Sequence, residues 1–210
     1  MFDINKVKEE GRYLEKTLLI TFAFVAVMWI SWGCDMLFHL DLPKYGIIPR
    51  EKIGLRGILF SPFIHDNRNV MHILSNTPPF AFLFFLLLNA FRKIAIPVYI
   101  LIQFVSGFLL WLFGPDNSVT VGMSGVIFGL AAFLVGSGLF RRNLISITLA
   151  FGVVFFYGGG LAASVIPQPG VSWQGHICGA VAGFFVAFNL RNYDRAPKSI
   201  ISSDDKHFFS

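Results

Sequence analysis

Six apolar runs organise the chain, at about residues 17–38, 70–90, 94–113, 123–140, 143–166 and 174–190. Each is close to the roughly 20 residues that a tilted helix needs to cross about 30 Å of hydrocarbon. Short polar connections separate them, apart from a longer stretch at 39–69. The pattern predicts an all-α polytopic membrane protein, with a polar N-terminal segment over 1–16, a six-helix membrane domain over 17–192 and a polar tail over 193–210.

Composition strengthens that reading. Of 210 residues 55% are hydrophobic, 25 are Phe and only 14% are charged, with a mean hydropathy of +0.66. An ordinary soluble chain carries roughly 25% charged residues. Aperiodic Gly and Pro and only two Cys exclude collagen and disulfide-rich scaffolds. Cys34 and Cys178 read as buried small residues, with no disulfide between them. The first run is too long, starts too late and lacks the small-residue exit of a cleavable signal peptide.

The net charge of +5 does not mark a nucleic-acid binder, because no run interleaves bases with aromatics. The cations sit instead between spans. Lys6, Lys8, Arg12, Lys16, Arg92, Lys93, Arg141, Arg142, Arg191, Arg195, Lys198 and Lys206 make twelve of the seventeen, all on one side of a six-span topology. The positive-inside rule makes that side, and both termini, cytoplasmic. The remaining five, Lys44, Arg50, Lys52, Arg56 and Arg68, lie in the first outer loop, against the rule. The expected location is the cell membrane, multi-pass, in contact with the bilayer.

Polar residues inside spans are costly and therefore informative. His72 and Asn76 lie near the start of the second span, Ser124 at the start of the fourth and His176 at the start of the sixth. Alternating topology places all four at similar depth, near the outer leaflet. Ser124 stands between Gly122 and Gly125, which leave its hydroxyl unobstructed and let backbone approach closely. Gly175, Gly179 and Gly183 line one face of the sixth span, and Gly125, Gly129 and Gly136 line the fourth. Two such faces can pack at close range and bring Ser124 to His176. His72 and Asn76, at i and i+4, share a face and offer hydrogen-bond donors, either to a developing oxyanion or to a polar clasp between helices.

Asp116 is the one carboxylate between 67 and 193, and it falls in a loop, which argues against an embedded Ser-His-Asp triad. Neither H-E-x-x-H nor a pair of intramembrane aspartates is present, so metal chemistry of those kinds is not expected. What remains is a serine-histidine dyad.

These residues resemble the rhomboid family of intramembrane serine proteases. Four pieces match in order: Leu55-Arg56-Gly57-Ile58-Leu59-Phe60-Ser61-Pro62-Phe63-Ile64-His65, then His72-x-x-x-Asn76, Gly122-Met123-Ser124-Gly125, and Gly175-His176-x-x-Gly179-x-x-x-Gly183. The resemblance spans about residues 15–192. It implies a rhomboid-like six-transmembrane-helix bundle around a water-accessible cavity on the outer side of a bacterial inner membrane. It also implies Ser124 as nucleophile, His176 as general base and acid, and an oxyanion held by the Ser124 N–H, His72 and Asn76. Gly122, Gly125, Phe128 and Gly179 would support them. Substrates of the family are transmembrane segments of other proteins, cut near the outer face after small residues, without metal or cofactor. The chain departs from the family pattern in four places. Phe128 stands where a Tyr often stacks on the histidine, and should keep the stack. His65 and His72 are seven positions apart, where five is common. Pro78-Pro79 follows Asn76 and predicts a kink. Asn89 replaces an acidic residue. The alternative reading is a catalytically inactive rhomboid-like protein that binds membrane-protein clients. A small channel or transporter is weaker, since inverted repeats are missing and the second to sixth spans carry no carboxylate.

Overall fold

The computed structural model describes residues 4–168 and 170–193. Among them the fold is helical, without strands. Seven α-helices follow in order: α1 (Ile4–Phe38), the short α2 (Gly57–Phe60), α3 (Val70–Ala90), α4 (Ala95–Phe113), α5 (Ser124–Arg141), α6 (Leu144–Ser164) and α7 (Trp173–Asn189). Five of these, α1 and α3 to α6, are long and apolar enough to cross a membrane. The 17 residues of α7 lie at the lower end of spanning length.

The helices fall where the apolar runs predict them, with one difference. The first helix does not start near 17 but continues back to Ile4 through the polar segment. Its N-terminal turns are tied to the α3–α4 connection, where Arg92 pairs with Glu10 and the Tyr13 hydroxyl donates to the Leu88 carbonyl at 2.8 Å. The predicted tail beyond Tyr193, with Arg195, Lys198 and Lys206, lies outside the described residues.

Packing is centred on α5. Its glycines meet those of α7, so that a Cβ at Gly179 would strike the Gly125 carbonyl oxygen and one at Gly183 the Gly129 carbonyl oxygen. Only backbone fits between the two helices there. Phe80, Phe84, Leu83 and Leu87 of α3 fill the core against Ile102 of α4 and Leu130 and Phe133 of α5. By contrast α6 buries only Ser146 and Val153, and packs chiefly on α5.

The prolines at 78 and 79, where the sequence predicts a kink, do not end the helix: α3 is helical through both. Two backbone donors are lost, those otherwise aimed at the Leu74 and Ser75 carbonyls. The buried face from Phe80 to Leu87 carries the helix past both prolines into the core. Cys34 and Cys178 are free thiols, as expected, but half-buried rather than buried. Both lie on helix faces, of α1 and α7, that keep part of their surface uncovered.

Candidate active site

The starts of α3, α5 and α7 and the end of α6 surround one cavity of ≈ 820 Å³. His72, Asn76, Ser124, Phe128 and His176 all line it. Each reaches it for a local reason.

Ser124 is the first residue of α5, so its N–H has no intrahelical acceptor. The turn before it is pinned: Gly122 N–H donates to the Ser61 carbonyl at 2.8 Å and Met123 N–H to His65 Nε2 at 3.4 Å. Gly122 takes φ +115°, and a Cβ there would lie 2.6 Å from His72 Nε2. Both facts demand glycine, one for the backbone and one for the imidazole beside it.

His176 sits in the first turn of α7, 6% exposed. Its ring lies flat against Phe128, with centroids 4.2 Å apart and planes 2° from parallel. Phe128 is one turn after Ser124 on the same helix face, about 5–6 Å away at Cβ. The stack therefore holds the imidazole at the level of the serine. Nδ1 lies 2.7 Å from the Ser164 carbonyl oxygen at the end of α6. A carbonyl only accepts, so Nδ1 carries the proton and neutral His176 keeps its Nε2 lone pair. Among the described residues no hydrogen bond joins that nitrogen to Ser124 Oγ. Catalytic contacts of this kind often tighten only around substrate.

His72 has the opposite tautomer. Its Nδ1 accepts from the Asp66 backbone N–H at 3.4 Å, which leaves the proton of the neutral ring on Nε2, beside Gly122. Asn76 donates from Nδ2 to the His72 carbonyl at 2.6 Å. That bond fixes the amide orientation and leaves a second N–H on the same nitrogen. Its Oδ1 is buried and unpartnered among the described residues.

His65, which ends the 55–65 motif, has no role assigned from the sequence. It is 1% exposed and its ring meets His72 edge-on, with centroids 5.0 Å apart. Burial above all, and then His72, push its pKa down to about 3, against a weak pull from the Phe63 carbonyl. At neutral pH it is an uncharged acceptor for Met123 N–H. Ser164 is a further site residue that the sequence does not reveal, since it acts through a carbonyl that any residue supplies. Among the described residues no three His, Cys, Asp or Glu gather as a metal-binding group.

Two kinds of similarity bear on this arrangement. A family model described as the Rhomboid domain matches residues 54–193. An uncharacterized protein of Mycobacterium tuberculosis is 37% identical over 185 residues, 84% of this chain and 76% of its own length. One from Mycobacterium leprae is 35% identical over 188 residues, 84% of this chain and 72% of its own. A protein of Acanthamoeba polyphaga mimivirus that is named as a rhomboid protein is 36% identical over 135 residues, 60% of this chain and 70% of its own.

Proposed function

The chain belongs to the rhomboid family and is an integral membrane protein, and on that premise we propose that it is an intramembrane serine endopeptidase working through Ser124 and His176. The observation that carries the reading is the state of His176. With Nδ1–H held by the Ser164 carbonyl and the ring held by Phe128, its basic nitrogen is available in the cavity that Ser124 also lines.

In this mechanism a transmembrane segment unwinds at its outer end and presents a carbonyl to Ser124. His176 Nε2 takes the Oγ proton as Oγ bonds to the carbonyl carbon. The oxyanion that forms is met by the Ser124 N–H, His72 Nε2–H and the second Asn76 Nδ2–H. Collapse breaks the peptide C–N bond, and His176 returns the proton to the leaving nitrogen. Water then attacks the acyl-serine with His176 again as base, releasing the acid and restoring Ser124. No cofactor enters any step. The termini and the basic turns at 92–93 and 141–142 are assigned to the cytoplasm, which the charge distribution supports.

The test is cleavage of single-span membrane proteins by the purified chain in lipid vesicles, with cut sites mapped by mass spectrometry. A fluorophosphonate should label the wild type and not Ser124→Ala, which should fold and not cleave. Normal turnover by Ser124→Ala would refute the assignment. Client binding without turnover or labelling would mark an inactive relative instead.

A further inference from the structure

Asp35 is the one carboxylate within the first apolar run, and the mechanism above makes no use of it. It lies in the last turn of α1 and is 1% exposed. A buried carboxylate persists only where donors meet it. Here Oδ1 accepts the Leu42 N–H at 2.9 Å and Oδ2 accepts the Asn67 side-chain N–H at 2.8 Å. The first bond closes the turn after α1. The second crosses to the loop that precedes α3.

That loop supplies a group to the site. The residue before Asn67 is Asp66, whose backbone N–H donates to His72 Nδ1. The rest of the loop folds on itself, with the Arg68 guanidinium on the Asp66 carboxylate and Asn69 capping α3 through the Met71 N–H. These contacts shape the loop and tie its end to α3, without fixing the Asn67 side to α1. Asp35 anchors it to α1, as His65 anchors it to the turn before Ser124.

We propose that Asp35, acting through Asn67, is a positioning residue that sets the Asp66 N–H against His72 Nδ1 and so keeps the His72 proton on Nε2, beside Gly122. The inference rests on the oxyanion role given to His72. Without the clasp the loop is free to withdraw its N–H, and the ring then exchanges between tautomers. Only one of those tautomers donates from Nε2.

The experiment uses the full chain in lipid nanodiscs with ring-15N-labelled histidine, and a single-span membrane protein with small residues near its outer end as substrate. Wild-type His72 should show the 15N pattern of a neutral Nε2–H ring. Asn67→Ala removes the arm at a half-buried position and leaves the Leu42 bond intact. It should give a mixed His72 tautomer and lower kcat between about 10- and 100-fold, the range of a displaced catalytic group, with KM little changed. Asp35→Asn should fall less far, because the Asn67 amide can flip to accept from the new amide. In a His72→Ala background Asn67→Ala should cost nothing further. A wild-type His72 spectrum in Asn67→Ala overturns the proposal, as does a loss that multiplies with that of His72→Ala. If the wild type cleaves no substrate, the protease reading falls, and the 15N spectrum alone decides the clasp.

Discussion

Phe128 and His176 lie face to face, 4.2 Å apart and 2° from parallel, and they join α5 to α7 at the level of the cavity. The stack uses the ring alone, so a phenol in its place adds nothing to it. The stack opposes tilting of the imidazole, and the Nδ1 contact with the Ser164 carbonyl opposes sliding in its plane.

Replacing that ring separates flatness from bulk. Phe128→Leu keeps an apolar side chain and loses the stack, worth about 0.5–1.5 kcal/mol for an aromatic pair. Cleavage kcat should fall roughly 2- to 12-fold, the same free energy expressed as a rate, while Phe128→Tyr should stay near wild type. Steady-state kinetics on one reporter substrate checks both. Equal losses in the two variants would mean that the stack does not hold His176.

The glycine seam between α5 and α7 makes a second prediction, about stability. Gly179→Ala would drive a methyl into the Gly125 carbonyl oxygen, a backbone atom that cannot step aside. It should cost at least about 1–3 kcal/mol, as overpacking does. Gly159→Ala on α6 meets nothing within 4 Å and should be neutral or stabilising by about 0.5–1 kcal/mol, the helix preference for alanine. Thermal unfolding in detergent micelles compares the pair.

His65 carries a pH dependence of stability. In the unfolded chain its pKa is the ordinary 6.5, and in the fold burial lowers it to about 3. Between those values the unfolded state binds the extra proton, so this group favours the fold fully above pH 6.5 and progressively less as pH falls. The loss should reach about 2 kcal/mol by pH 5, at about 1.4 kcal/mol per unit. His65→Gln, an uncharged acceptor for Met123 N–H, should flatten the decline relative to wild type. Melting temperatures at pH 7 and pH 5 measure the difference, and parallel slopes would argue against a buried neutral His65.

The spans and the seam were legible in the sequence because each follows a simple count. Hydrocarbon thickness sets the apolar runs, and glycine every fourth residue from 175 to 183 marks a face that needs close approach. The backward extension of α1 to Ile4 was not legible, since hydropathy marks where lipid ends rather than where hydrogen-bonded turns end. The unbroken course of α3 through Pro78-Pro79 depends on tertiary burial, which outweighs the local preference. The clasp from Asp35 to Asn67 joins a helix end to a loop 32 residues on, and no periodicity encodes such a contact. Ser124, His72, Asn76 and His176 stood out because polar groups are few inside the runs. The partners that set the histidine protons, the Ser164 carbonyl and the Asp66 N–H, are backbone groups and leave no trace in composition.

The looseness of α6 therefore reaches the chemistry. The carbonyl that orients His176 belongs to the helix with the least protein around it, so the bilayer is much of what keeps that acceptor at its height. A membrane thinner or thicker than this helix prefers should displace Ser164 before it disturbs the glycine-packed pair at the centre. Lipid thickness thus bears on the setting of the His176 ring, much as a second ligand would.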